Sequence, residues 1–137
     1  MSGEWSNAAA FRDLYCRSET IHSETIMEVT EGRVGNGTTL RIVGRVDSSV
    51  SKILEQRILD VVSRENHIVV DLGGMNYVSS AGLRSFIIMA KQARAKNHTI
   101  ALSAMREEVT EIFEISGLME LFQIYDTVEA AVAALPR

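Results

Sequence analysis

Two adjacent hydroxyls, Ser79 and Ser80, stand between a short β-branched run, Ile68-Val69-Val70, and a stretch with helical spacing, Leu83, Phe86, Ile87 and Ala90. That is the place where a strand hands over to a helix, and in open α/β sheets ligands and partners meet the protein there. A serine at a helix start can do two things. It can cap the helix by accepting a hydrogen bond from a free backbone N–H of the first turn. It can also carry a phosphate, whose roughly −1.5 to −2 charges would sit at the positive end of the helix dipole without unfolding the domain. Such a charge would disrupt a tight partner interface, which suits Ser80 to reversible control. Ala81 and Gly82 leave the backbone of the turn accessible to a partner. Asp47, in Gly44-Arg45-Val46-Asp47, closes an earlier strand and in a parallel sheet would share the serines' rim. Its carboxylate could accept a hydrogen bond from the serine, repel an attached phosphate, or cap the helix that follows Ser49.

Serine catalysis has little support. A nucleophilic serine needs a base within hydrogen-bond reach and a group that orients the base, and the G-x-S-x-G elbow of the α/β-hydrolases is absent. His22 falls in the N-terminal stretch, His67 opens the central strand at the end opposite the serines, and His98 follows the far end of the second helix. Neither G-x-x-x-x-G-K-[ST] nor G-x-G-x-x-G occurs, so no nucleotide cofactor is expected. The single cysteine, Cys16, has no metal-ligand spacing around it. No enzyme, metal or cofactor is expected. Arg84, Lys91, Arg94 and Lys96 read as a solvated face of the second helix, with Arg84 close enough to the serines to join a partner surface made by Asp47, Ser79, Ser80, Ala81 and Gly82.

The elements that must position these residues follow from periodicity. Apolar residues alternate from Ile26 to Val34 and from Thr39 to Val43 around Gly35-Asn36-Gly37, which predicts a β-hairpin. Val50, Ile53, Leu54, Ile58, Leu59, Val61 and Val62 predict a first helix, with Ser48 or Ser49 as its cap. A buried strand is expected over His67 to Leu72, bounded by Gly73-Gly74, then a second helix from Ser80 to Lys96 and a strand from Thr99 to Ala104. A third helix, Glu107 to Ser116, ends at Gly117. A short strand, Leu121 to Tyr125, leads to a helix capped by Asp126 or Thr127. The order β-β-α-β-α-β-α-β-α predicts an α/β domain with a mostly parallel sheet, an N-terminal hairpin and about four helices.

The chain has 137 residues, 46% hydrophobic and 23% charged, which is one domain's worth. That domain is read as residues 25–137, with an N-terminal arm over 1–24 whose Ala8, Phe11, Leu14 and Tyr15 share one helical face. A net charge of −4 gives no field to draw in nucleic acid or an anionic membrane. The longest apolar runs, such as Phe86 to Ala90, are far too short to span a bilayer, and the N-terminus lacks a basic segment followed by an apolar one. A cytoplasmic location is expected.

Several segments together resemble the STAS domain family and, within it, the anti-sigma factor antagonists. They are Gly44-Arg45-Val46-Asp47, Val69-Val70-Asp71-Leu72, Tyr77-Val78-Ser79-Ser80-Ala81-Gly82-Leu83, and Ile115-Ser116-Gly117-Leu118 before Leu121-Phe122. The resemblance covers about residues 26 to 135. It implies that Ser80 is the phosphorylation site and that Asp47 lies near the kinase contact. It implies a protein that, unphosphorylated, binds an anti-sigma factor that is also a serine kinase and so frees a sigma factor. Phosphorylation ends that binding and a phosphatase restores it. Many family members carry Asp immediately before the phosphorylated serine; here Ser79 stands there and is a second candidate acceptor. The alternative is a non-switching STAS adaptor of a transporter-associated or signalling complex, in which Ser80 only caps its helix.

Overall fold

A computed structural model describes residues 17–21, as a backbone strand, and residues 27–136. The sheet has six strands in chain order: β1 (Arg17–Ile21), β2 (Met27–Val34), β3 (Gly37–Val46), β4 (His67–Val78), β5 (Thr99–Ser103) and β6 (Gln123–Tyr125). Strands β1, β2 and β3 pair antiparallel, and β3 to β6 pair parallel. The helices are α1 (Ser51–Arg64), α2 (Ser80–Ala95), α3 (Glu107–Ser116) and α4 (Val128–Ala133), with a 3-10 turn at Leu118–Leu121. The predicted α/β architecture is the observed one. Strand β1 lies within the stretch read as an arm and extends the sheet edge; the helical face at Ala8, Phe11, Leu14 and Tyr15, together with Cys16 and His22, lies outside the described residues.

The predicted hairpin turn is the two-residue link Gly35–Asn36, between the paired Val34 and Gly37. Gly35 has φ +57, the left-handed conformation that glycine adopts at no steric cost. Helices α1, α2 and α3 connect parallel strands that advance one way along the sheet. Connections of one hand must then lie on one face. Their apolar stripes meet Leu40, Ile42, Val70 and Leu72 there, and Phe86 of α2 packs edge-on against Phe113 of α3 with ring centroids 5.5 Å apart. Helix α4 follows β6 and takes the other face, where Val128, Ala131 and Leu135 cover Val34, Val69 and Ala101.

The central strand departs from expectation. Gly73-Gly74 was expected to end it near Leu72, yet β4 runs on to Val78. The register explains how: Arg41 opposes Asp71, Val43 opposes Gly74, and Arg45 opposes Tyr77, so β4 takes up one extra residue in each interval. The first irregularity is held by Asp71, whose Oδ1 accepts from the Gly73 N–H at 3.0 Å. A Cβ on Gly74 would stand 2.8 Å from a methyl of Val43. Glycine here allows a bulged strand to continue and does not break it. Residues 75–78, expected in a loop, are therefore strand. β3 likewise extends past Val43 to Val46, through Gly44 at φ +105.

Candidate functional site

The carboxyl ends of β3 and β4 stop level, with Val46 opposite Val78. The Ser79 N–H donates to the Val46 carbonyl at 2.8 Å, which ties the start of α2 to the end of β3 and places Ser79 and Ser80 on the rim where Asp47 begins. α2 starts at once, with the Leu83 N–H bonded to the Ser79 carbonyl at 2.8 Å.

The two serines divide their work. Ser79 is the cap: its backbone is extended, φ −88 and ψ 174, and its Oγ accepts from the Gly82 N–H at 3.2 Å. Ser80 is the first helical residue and exposed, and among the described residues its hydroxyl has no hydrogen-bond partner. Five residues on, Ser85 is buried and donates to the Ser51 carbonyl at 3.1 Å, which ties α2 to the start of α1.

Gly82 was expected to leave the backbone open to a partner, and the packing assigns it a different task. It is buried, and a Cβ there would stand 2.8 Å from methyls of both Val46 and Val78 and 3.0 Å from the Val46 carbonyl oxygen. Glycine lets the helix start lie directly on the two strand ends, so Gly82 is unavailable for direct contact. Ala81 is half-buried and Arg84 exposed.

Asp47 and the serines at 48 and 49 also differ from the predicted caps. The residue before α1 is Val50, and no side chain caps that helix. Asp47 Oδ1 instead accepts from both the backbone N–H and the hydroxyl of Ser49, at 2.9 and 2.5 Å. Those bonds, the side-chain one foremost, hold the Asp47 carboxyl below its usual range, so it is ionised at neutral pH.

Two rim residues escaped sequence reasoning as contacts. Tyr77, on the penultimate residue of β4, is 38% exposed, and the guanidinium of Arg45 stacks over its ring at 4.2 Å from the centroid. The register that pairs Arg45 with Tyr77 depends on the second strand irregularity. Alternation alone would have put Arg45 beside another residue. Ile53, in the first turn of α1, is 46% exposed. The rim thus combines a free hydroxyl, an ionised carboxylate, two arginines and two exposed apolar side chains. That composition suits protein recognition.

Among the described residues no histidine reaches it. His67 begins β4 at the opposite end of the strand, and His98 follows α2, its Nδ1 2.8 Å from the Val62 carbonyl oxygen. Among the described residues no cluster of His, Cys, Asp and Glu could hold a metal ion, and no helix is long and apolar enough to cross a membrane. A groove of about 390 Å³, lined by Ala93, Arg94, His98 and Phe122, lies at the far end of α2 from Ser80.

Comparison with known proteins gives consistent results. A family profile described as the STAS domain matches residues 25–131. A Bordetella bronchiseptica protein assigned as an anti-sigma factor antagonist, BtrV, is 35% identical over 116 residues, 81% of this chain and 100% of that protein. An anti-sigma factor antagonist from Mycobacterium paratuberculosis shares the fold at TM-score 0.74 and 20% identity, over 83% of this chain and 97% of the other. The Bacillus cell fate determinant SpoIIAA in its phosphorylated form shares it at TM-score 0.62 and 14% identity, over 78% of this chain and 99% of the other.

Proposed function

Because the chain belongs to the STAS domain family and groups with its anti-sigma factor antagonists, which are binding proteins and not enzymes, we propose that it is a partner-binding switch set by phosphorylation of Ser80. In this reading the unphosphorylated protein binds, in the cytoplasm, an anti-sigma factor that is also a serine kinase, and so releases a sigma factor. The kinase transfers the γ-phosphoryl of ATP to Ser80 Oγ, with ADP as leaving group and the hydroxyl proton released. A phosphatase hydrolyses the ester with water and returns the serine and inorganic phosphate.

One observation carries the choice. The adaptor alternative leaves Ser80 the duty of capping α2, but Ser79 performs that duty, and Ser80 presents a hydroxyl with no structural task among the described residues. It also ranks the two acceptors: a phosphate on Ser79 would remove the cap bond to Gly82, whereas one on Ser80 would leave it in place. A protein of the same fold exists in phosphorylated form, which supports the chemistry in this scaffold. Ionised Asp47, exposed Tyr77 and exposed Ile53 would flank the contact.

The test uses the protein with its cognate kinase and ATP. Wild type is expected to gain one phosphate and Ser80→Ala none; equal labelling of Ser80→Ala overturns the assignment and directs attention to Ser79. Ser80→Asp is expected to bind the kinase partner at least tenfold more weakly. Unchanged affinity would sink the switch.

A further inference from the structure

Arg84 lies four residues after Ser80 on α2. Residues at that spacing stand on one helix face with Cβ atoms about 5–6 Å apart. Helical side chains lean toward the amino end, which puts the turn that carries Ser80 within reach of the Arg84 side chain. Arg84 is exposed and, among the described residues, has no ion pair or hydrogen bond. Its own helix offers none: α2 contains Arg84, Lys91 and Arg94 and not one acidic residue. An anion would therefore find Arg84 uncommitted.

The rim carries three other charges. Asp47 at the end of β3 is ionised and bonded to Ser49, and would repel a phosphate. Arg45, also on β3, is stacked on Tyr77. Lys52 lies in the first turn of α1. Arg45 and Lys52 are cations that would also attract a phosphate on Ser80, but Arg84 is the one on the serine's own helix face, four residues on.

We propose that Arg84 is a latch for phosphoserine 80, closing on the phosphate by charge-assisted hydrogen bonds once it is attached. The inference rests on Ser80 being the acceptor. The phosphate's second ionisation lies ordinarily near pH 6. A neighbouring guanidinium favours the dianion, so the latch raises the share of the doubly charged phosphate in mildly acid conditions. The switched-off form then holds its phosphate against the helix. Arg84 acts as a positioning residue; it takes no part in the transfer.

The experiment places phosphoserine at position 80 during translation, so that no kinase is needed, and follows its phosphorus NMR signal against pH. In wild type the second ionisation is expected about half a unit below that in Arg84→Gln, roughly a threefold change in proton affinity, as for an exposed ion pair. Arg84→Lys is expected between the two, since lysine keeps the charge and loses the planar fork. The difference should collapse in 1 M salt, where screening acts over about 3 Å. Equal ionisation in wild type and Arg84→Gln overturns the latch, as does a difference that salt leaves unchanged. Failure here strikes the latch alone, because the phosphate was installed directly; failure of a kinase to label Ser80 strikes the functional reading instead.

Discussion

At the amino ends of the parallel strands charged side chains are tied into one network of ion pairs, while at the carboxyl ends Ser80 and Arg84 have no such partner among the described residues. Glu31 of β2 is buried and binds both Arg57 at 3.2 Å and Arg64 at 2.6 Å from α1. Arg64 continues to Glu65 at 3.2 Å, and Glu65 accepts from Thr38 at 2.8 Å and Arg33 at 3.0 Å. The network fastens the end of α1 to the hairpin. The serine rim is fastened by other means: a backbone bond from Ser79 to Val46, the Ser79 cap, and the contact of Gly82 with Val46 and Val78. With backbone and packing holding the rim, its side chains need not hold the fold. Ser80, Arg84 and Tyr77 are available for a partner.

The contrast predicts where substitutions cost stability. Glu31→Ala should cost the most, about 3 kcal/mol, because it leaves two partly buried arginines without their shared carboxylate. Urea denaturation measures it, and a loss under about 0.5 kcal/mol would break the comparison. Gly82→Ala should cost about 2 kcal/mol: overpacking against two valine methyls and a carbonyl costs about 3, offset by about 1 for the better helix former. Ser79→Ala should cost about 1 kcal/mol for the lost cap, while its neighbour Ser80→Ala stays within about 0.5. If the adjacent serines cost the same, the division between cap and free hydroxyl is wrong.

Acid should loosen the paired end in a way set by Glu65. Burial pushes its carboxyl up, but the Thr38 hydroxyl and the Arg33 and Arg64 guanidiniums outweigh that, and it ends below its ordinary 4.5. A carboxyl whose folded value is lowered contributes stability that is complete above the unfolded value and is lost as pH falls through the folded one. Unfolding free energy should therefore begin to fall near pH 4.5 and continue below it, and Glu65→Gln should flatten that decline. An identical decline in Glu65→Gln would place the acid sensitivity elsewhere.

The two ends were unequally legible in the sequence. Ser79, Ser80 and the helix after them could be read because a cap, a glycine and a 3.6-residue period are local signals, and the hairpin at Gly35 is local too. The bulges in β4 were not, since Gly73-Gly74 reads as a strand end unless the opposing Val43 is known. The Glu31 network joins residues 26 to 33 positions apart, from Glu31 to Arg57 and Arg64, and no spacing rule reaches that far. Gly82 was legible as a glycine, but its burial came from two strand ends that only the fold brings together.

A small expected effect on stability is the most informative about function. Tyr77 was invisible as a contact because strand alternation does not say which residues a bulge turns outward. It stands 38% exposed beneath the Arg45 guanidinium. An exposed stack of this kind contributes about 0.5–1 kcal/mol to the fold, so Tyr77→Ala should shift the denaturation midpoint little. Tyrosine and arginine are, however, the residues that most often dominate protein interfaces. Tyr77→Ala should thus weaken binding of the kinase partner about tenfold, equivalent to about 1.4 kcal/mol, by calorimetric titration. Tyr77→Phe, which keeps the ring, should bind nearly as wild type. A Tyr77→Ala variant that binds normally would move the partner surface toward Ile53 and α1; one that unfolds would show that the serine rim depends on its side chains as much as the opposite end does.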